Sequence, residues 1–342
     1  MPGSYMPDTS IASIRPAART LSVLAAAVVL GACSACNKSA GGAAGTTIPI
    51  GEYASLTGTT ATFGTSTHNG MKMAIDEAND AGGIKGKKIK LFKEDDQSKP
   101  DVAHTVVTKL INENNVVAVL GEVASTRSLA GAPVCQQNHV PMISPSSTNP
   151  KVTQVGDYIF RVCFTDDFQA AVDAHFANDM KWKRVAIFKD IKNDYSVGFA
   201  KVFTDEFTKL GGQIPGVETY QEGDPDFRAQ LNNIKGMNPD AVLIPGYYGD
   251  VGTIARQARE IGLKVPLLGG DGWDSPQLVP GAGGPGQALE GCYFSDHYFS
   301  TELKDPNVQK FITAFKAKNG TAPDALAALG YDAAGLLIDA MK

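Results

Sequence analysis

A surplus of basic charge is missing from this sequence, and its absence argues against one broad class of partners. The 342 residues include 31 Lys and Arg against 36 Asp and Glu, a formal net charge of −5 at pH 7. Nucleic-acid-binding domains concentrate Lys and Arg on one face, whereas the lysines here are scattered and often stand near acidic residues. We therefore expect no nucleic-acid partner.

A long hydrophobic run is also lacking at the N-terminus. The apolar stretch from Leu21 to Leu30 has about ten residues, whereas a membrane span needs about 20. Arg15 and Arg19 precede it, and a basic segment before a short apolar run is typical of a signal peptide. The letters LGAC, which end at Cys33, resemble the lipobox of bacterial lipoproteins, in which this Cys carries the lipid.

These features predict a signal peptide over residues 1–32 and a flexible tether over residues 33–47, which are rich in Ser, Gly, Ala and Thr. A plain secreted protein, cut near the same place, is the alternative. We expect a protein in the periplasm or at the cell surface that is held on the membrane through lipidation of Cys33.

Cysteine and histidine are scarce, with five of each. Cys135, Cys163 and Cys292 are isolated and show no metal-binding spacing, so we interpret them as free thiols buried in a core. The histidines lie far apart without an HExxH pattern, and no GxSxG motif surrounds Ser125. The sequence therefore predicts no metal site, no cofactor and no enzymatic activity.

One glycine-rich stretch, GAGGPG over 281–286, matches the GxGxxG pattern of dinucleotide-binding proteins. That fingerprint requires a strand before it and a helix after it. Here the letters LVP precede it, Pro285 lies inside it, and the strand-like LEGCYF follows. We therefore interpret the stretch as a loop.

From Thr47 onward, strand-like and helix-like segments alternate strictly. Apolar residues at helical spacing predict helices over 68–83 and 196–210, and VVAVLG over 116–121 predicts a buried strand. Near-continuous apolar strands in such an alternation predict an α/β fold with parallel sheets covered on both faces. Ligands of such sheets bind beyond the carboxyl ends of the strands.

Two predicted strands end in clusters of small hydroxyl residues. Ser125, Thr126 and Ser128 follow VVAVLG, and the letters SPSSTNP over 144–150 end the next strand. Short hydroxyls together with backbone N–H groups at a helix start bind a carboxylate well. Helix capping and turn formation use the same residue types and stay an alternative.

Several motifs, in the same order along the chain, resemble one family: the periplasmic amino-acid-binding proteins of branched-chain amino acid ABC transporters. They are LTGTTATFGTSTHNGMKMAIDEANDAGGIKG, GEVASTRS, VPMISPSSTNP, DIKNDYSVGFA and DAVLIPGYYGDVGTIARQAREIGL. The resemblance implies the type I periplasmic binding protein fold, in which two doubly wound, Rossmann-like lobes are joined by a hinge and enclose a ligand cleft. It implies lobe 1 over 48–163 plus 296–342 and lobe 2 over 164–295.

The resemblance also implies a set of ligand-binding residues in lobe 1. Ser125 and Thr148 would hold the carboxylate and the ammonium of an amino acid. The backbones of Val123 and Ser146 would lie close by, and Ser147 would assist.

Lobe 2 would supply most of the remaining site residues. Asp271 would bind the ammonium at a position where the family carries glutamate, which is one methylene longer. Tyr195 and Tyr247 match aromatic positions of the second lobe, and Phe63 matches one of the first lobe. Trp273 is a candidate for the same wall. Ordinary packing, or a turn in the case of Asp271, is the alternative for each.

The function implied by the resemblance is capture of a small amino acid, branched-chain or aliphatic, and its delivery to an ABC transporter permease. We expect a monomer that performs no chemistry on its ligand. A ligand-sensing protein, or a binder of an amide, a urea or an aromatic acid, would use the same cleft and is the alternative.

Overall fold

Strands and helices alternate along nearly the whole length that the computed structural model describes, which is residues 47–286, 288–299 and 304–342. The predicted signal peptide, Cys33 and nearly all of the tether lie outside these residues. The strands are β1 (Thr47–Ala54), β2 (Lys88–Asp95), β3 (Ala118–Leu120), β4 (Met142–Ser144), β5 (Ile159–Arg161), β6 (Val185–Asp190), β7 (Val217–Tyr220), β8 (Ala241–Leu243), β9 (Leu267–Gly269) and β10 (Tyr293–Phe294).

The helices lie between the strands and after the last one. They are α1 (Ala61–Asp80), α2 (Pro100–Asn112), α3 (Ser125–Gln137), α4 (Lys151–Gln154), α5 (Asp166–Asp179), α6 (Asp194–Lys209), α7 (Arg228–Gly236), α8 (Tyr248–Glu260), α9 (Leu278–Gly281), α10 (Pro306–Asn319) and α11 (Ala325–Met341). A 3-10 turn covers Asp271–Trp273. Among the described residues, no helix combines the length and apolar character that a membrane span requires.

The strands form two parallel sheets with the same topology. The first sheet has the order β2-β1-β3-β4-β5 and the second has the order β10-β9-β8-β6-β7. In each sheet the first strand in sequence therefore lies between the second and the third. At this point the strand order reverses, and such switch points open the crevice in which doubly wound sheets bind ligands.

Both faces of the first sheet are covered, as the apolar strands predicted. On one face Ile50 of β1 shares a buried cluster with Met71 of α1 and Ile338 of α11. On the other face Tyr53 packs with Leu110 of α2. The predicted α/β class, with doubly wound sheets in two lobes, is confirmed.

Helix α1 begins at Ala61, seven residues before the predicted start. Its first turns contain Gly and several Thr, which have weak helix propensity, so the sequence indicated a loop. Tertiary packing overrides this preference, because Phe63 is buried against the second lobe. Gly64 is required there, since a Cβ at this position would meet the carbonyl oxygen of Ser55 at 2.1 Å.

Strand β7 and helix α7 were not predicted from the sequence. Only Tyr220 of β7 is buried, and α7 buries only Leu231 and Ile234, so both elements carry too few apolar residues to show a period. The GAGGPG stretch forms a turn after the short helix α9, as predicted, and the next strand is β10.

Candidate functional site

Loops at the carboxyl ends of both sheets meet in one place. Ser125 follows β3 and Thr148 follows β4, whereas Tyr195, Tyr247 and Asp271 follow β6, β8 and β9. All five side chains are buried. The parallel topology therefore brings together residues that are up to 146 positions apart in the sequence (125 and 271).

The hydroxyl of Ser125 is not a helix cap. The N-cap of α3 is Ala124, without a side-chain hydrogen bond. The Oγ of Ser125 instead accepts a hydrogen bond from the backbone N–H of Asn149 at 3.2 Å. Because Asn149 directly follows Thr148, this bond ties the two hydroxyl clusters to each other.

Ser147 has a different role from its neighbours. Its Oγ donates to the carbonyl oxygens of Glu122 and Val123, at 2.9 and 3.0 Å, and lies 2.7 Å from the Oγ of Ser128. These bonds hold the backbone of the loop after β3. The sequence proposed Ser147 as an assistant to ligand binding, and the structure places it behind that loop.

A buried ion pair, which was not predicted from the sequence, stabilises the same loop. The Nε of Arg127 donates to Glu122 Oε2 at 3.2 Å, and both side chains are at most 3% exposed. Glu122 also accepts from the backbone N–H groups of Ser55 and Ala124. The signal was present in GEVASTRS as one acid and one base five residues apart in an otherwise uncharged stretch.

Three aromatic rings from both lobes pack around the cleft. Tyr195 and Tyr247 are stacked with their ring centres 5.6 Å apart and an angle of 5° between the rings. Phe63 meets Tyr247 edge-on, also at 5.6 Å. All three belong to one buried cluster with Val123. They form an apolar wall with two phenolic groups on it.

Asp271 brings a carboxylate to this wall. Its Oδ2 lies 3.5 Å from the Oγ of Ser146 and 3.3 Å from the Nε2 of His297. Its Oδ1 is buried and has no hydrogen-bond partner among the described residues, and the same holds for the phenolic oxygen of Tyr195. Burial raises the pKa of Tyr195 well above its usual value, and the nearby Asp271 adds to this rise.

Trp273 belongs to the interior of the second lobe. Its indole N–H donates to the carbonyl oxygen of Ile244 at 2.9 Å, and its ring lies near Phe294. Its ring also lies so close to Gly269 that a Cβ there would meet the ring atoms at 2.2 Å. These contacts favour the packing alternative for Trp273.

Several polar contacts connect the lobes around the site. Thr126 Oγ1 donates to Asp194 Oδ2 at 3.2 Å and accepts from the backbone N–H of Asp194 at 2.8 Å. Asn149 donates to the carbonyl oxygen of Asp194 at 2.7 Å, and Thr62 lies 2.9 Å from Ser275 through their hydroxyls. The two lobes are therefore closed on each other.

Three described cysteines are free thiols. Cys135 and Cys163 are buried as expected, whereas Cys292 is only half-buried. Burial raises the pKa of the Cys135 thiol to about 12, so it stays protonated and unreactive at neutral pH. Within the part of the chain that the structure describes, no group of three or more metal-ligating side chains is arranged to hold an ion.

Comparison with known proteins gives consistent matches. The family model of the periplasmic binding proteins matches residues 47–342. An amino acid binding protein of Pseudomonas aeruginosa is 34% identical to this chain over 240 residues, which cover 70% of this chain and 64% of that protein. This chain therefore spans less than two thirds of the length of that relative.

Two solved structures are similar over most of the chain. A leucine binding protein from Thermotoga maritima is 40% identical with a TM-score of 0.81, over 86% of this chain and 82% of that one. A branched-chain amino acid transporter substrate binding protein from Streptococcus pneumoniae, in complex with isoleucine, is 35% identical with a TM-score of 0.80. That match covers 86% of this chain and 84% of that one.

Proposed function

This chain belongs to the periplasmic binding protein family, and we propose that it captures one small amino acid with an aliphatic side chain between its lobes. The resemblance noticed in the sequence is confirmed by this membership. So is the expectation that the protein is no enzyme, because the family consists of solute-binding proteins. The membership also implies a location outside the cytoplasm.

The proposal of a zwitterionic ligand rests on two buried oxygens. Asp271 Oδ1 and the phenolic oxygen of Tyr195 are among the buried oxygens that have no partner within the described residues, and their side chains lie where the two lobes meet. Buried polar atoms are nearly always hydrogen-bonded, so such a pair indicates that a ligand or water supplies the partner. A carboxylate together with a hydroxyl suits an ammonium group.

The carboxylate of the ligand would bind at the first lobe. Ser125 is the first residue of α3, where backbone N–H groups and the helix dipole favour a carboxylate. Thr148 lies beside it and would bind the carboxylate and the ammonium together with Ser125. The backbones of Val123 and Ser146 would lie close to the ligand. Ser147 would contribute by fixing the loop.

The side chain of the ligand would pack against Phe63, Tyr195, Tyr247 and Val123. Three or four charge-assisted hydrogen bonds, at about 1.5–3 kcal/mol each, and one buried aliphatic side chain, at about 1.5–3 kcal/mol, together contribute about 6–15 kcal/mol, a range that includes the requirement for micromolar binding. Micromolar binding corresponds to a free energy of about −8 kcal/mol. The entropic cost of immobilising the ligand offsets part of the favourable contacts. The relatives whose names state leucine or isoleucine support an aliphatic ligand.

Closure of the lobes would be the signal that a transporter reads. A ligand that touches both lobes favours the closed form, because its contacts with one lobe are lost when the cleft opens. We propose that an ABC transporter permease in the membrane receives the closed protein, and that the protein acts as a monomer.

A binding screen tests the proposal. Purified protein is titrated calorimetrically with leucine, isoleucine and valine, and in parallel with their amides, urea and benzoate. We expect a 1:1 complex with an aliphatic amino acid at micromolar Kd, and a rise in melting temperature. Binding of benzoate or an amide without any amino acid would replace this ligand assignment, and a response to none of these solutes would refute it.

We further propose that a lipid on Cys33 tethers the protein. The LGAC letters support this, since each buried CH₂ of an acyl chain contributes about 0.8 kcal/mol to membrane binding. The variant Cys33→Ser is expected to leave the membrane fraction, as measured by immunoblotting after fractionation. Cys36→Ser is the matched control and should stay with the membranes. Membrane retention of Cys33→Ser would contradict the anchor.

A further inference from the structure

His297 occupies a specific position behind the proposed ammonium site. It follows β10, and its Nε2 lies 3.3 Å from Asp271 Oδ2. Its side chain is only 4% exposed. Its ring is stacked on Phe164 at 3.6 Å between ring centres, with 29° between the rings. The imidazole is therefore held in place on two sides.

This contact divides the two oxygens of Asp271 between different partners. The Oδ2 faces His297 and the Oγ of Ser146, whereas the Oδ1 has no partner among the described residues. A carboxylate with one oxygen fixed cannot rotate freely about its last bond. The other oxygen is then held in one direction before a ligand arrives, which lowers the cost of binding.

We propose that His297 is a positioning residue for ligand binding: it holds Asp271 so that Oδ1 faces the ammonium of the ligand. This inference rests on the proposed function. The Nε2 of His297 and the Oγ of Ser146 fix Oδ2, so that Oδ1 stays available for the ligand.

Two variants and two ligands test the role. His297→Leu removes the donor, whereas the amide nitrogen of His297→Gln can occupy the place of Nε2. The ligands are leucine and 2-hydroxy-4-methylpentanoate, which has a hydroxyl in place of the ammonium. We expect His297→Leu to weaken leucine binding by about tenfold and hydroxy-acid binding by less than about threefold, because the ammonium makes a stronger bond with the oriented carboxylate than a neutral hydroxyl does. His297→Gln should stay within about threefold of the natural protein for both ligands. The exposed His175→Leu is the control and should leave the affinity for both ligands unchanged.

The outcomes separate this inference from the proposed function. If leucine binds the natural protein tightly but His297→Leu leaves the ratio of leucine to hydroxy-acid affinity unchanged, the inference is wrong and the proposed function stands. A leucine affinity of His297→Gln as low as that of His297→Leu would also refute it. If no amino acid binds the natural protein, the proposed function fails and this inference fails with it.

Discussion

Hydroxyl residues of the same type have different roles around the cleft. Ser144 and Ser147 donate to backbone carbonyls of the loop after β3 and hold its shape. Ser146, which lies between them, instead points across the cleft to Asp271. The difference follows from the direction that the irregular loop after β4 gives each side chain, and not from residue type. Substitutions in this cluster should therefore have very different effects on binding.

The strongest single effect on binding is expected at Asp271. Asp271→Asn keeps the size of the side chain but removes the negative charge that faces the ammonium. A charge-assisted hydrogen bond contributes about 1.5–3 kcal/mol, so leucine affinity should decrease by more than about tenfold. Calorimetry measures the affinity, and the melting temperature of the free variant shows that the fold is intact. Unchanged affinity would remove Asp271 from the site.

Asp250 is expected to make the stability depend on pH. Burial, together with the nearby Glu222 and Asp190, raises the pKa of Asp250 to about 7, although the Gly223 N–H opposes this. Between about pH 4 and 7 the folded protein retains a proton that the unfolded chain releases, so stability decreases as the pH rises. Asp250 therefore destabilises the fold most above pH 7.

The variant Asp250→Asn removes this cost. It should be more stable than the natural protein at pH 8 by about 1 kcal/mol, a value that allows for solvent screening of a half-buried group. At pH 4 the difference should vanish, because the carboxyl is then protonated in the folded state. Urea unfolding at both pH values measures this. The exposed Asp179→Asn should show no such difference, and an equal effect of Asp250→Asn at both pH values would contradict the prediction.

At the scale of secondary-structure elements, the first residues of helices position part of the site. Asn193 is the N-cap of α6, and its side chain accepts a hydrogen bond from the backbone N–H of Tyr195 at 3.1 Å. The cap therefore sets the direction in which Tyr195 enters the cleft. In contrast, α3 contains Pro133 and still runs from Ser125 to Gln137, because packing of its small buried residues holds it.

The cap of α6 can be tested against a similar cap elsewhere. Asn193→Ala should cost about 1 kcal/mol of stability, the usual value of an N-cap, and should also weaken leucine binding by displacing Tyr195. Asp305→Ala removes the N-cap of α10, whose side chain accepts from Asn307 and Val308. We expect the control to lose stability without losing affinity. Equal affinity of both variants would show that the cap does not position Tyr195.

At the scale of the whole molecule, the proposed function depends on the polar contacts that join the two lobes around the site. Asp194 is central to them, since it meets Thr126, the side chain of Asn149 and, at 3.7 Å, the Nζ of Lys151. Each contact joins lobe 1 to the start of α6 in lobe 2. Their loss does not touch the ligand but changes the equilibrium between open and closed forms.

Asp194→Ala should therefore weaken binding without changing the site. The variant loses the side-chain contacts with Thr126 and Lys151 but keeps the backbone carbonyl that Asn149 meets. The lost contacts are partly exposed, so we expect about three- to tenfold lower leucine affinity, which corresponds to roughly 1 kcal/mol of closure energy. Small-angle X-ray scattering should show a larger radius of gyration for the variant at subsaturating leucine. Asp205→Ala, which loses a surface pair with Lys201 inside lobe 2, is the control and should leave both measurements unchanged. Full affinity of Asp194→Ala would show that these contacts do not limit closure.

Much of this protein followed from the sequence alone. The α/β class, the family and the position of the cleft beyond the strand ends were predicted, because strand and helix periods are local and the motif order is visible in the chain. The placement of Ser125, Thr148, Tyr195, Tyr247 and Asp271 in one cleft agrees with the resemblance. Their individual roles in binding and the exact lobe boundaries stay predictions.

Only the tertiary structure decided which residues support this site. The pairing of His297 with Asp271 and the packing of Trp273 inside lobe 2 left no pattern in the sequence that identifies the partner. The early start of α1 could not be predicted for the same reason, since Phe63 is buried against the other lobe. Such contacts join side chains from different strands and loops, and their energy depends on distance in space, whereas sequence periods report only on neighbours along the chain.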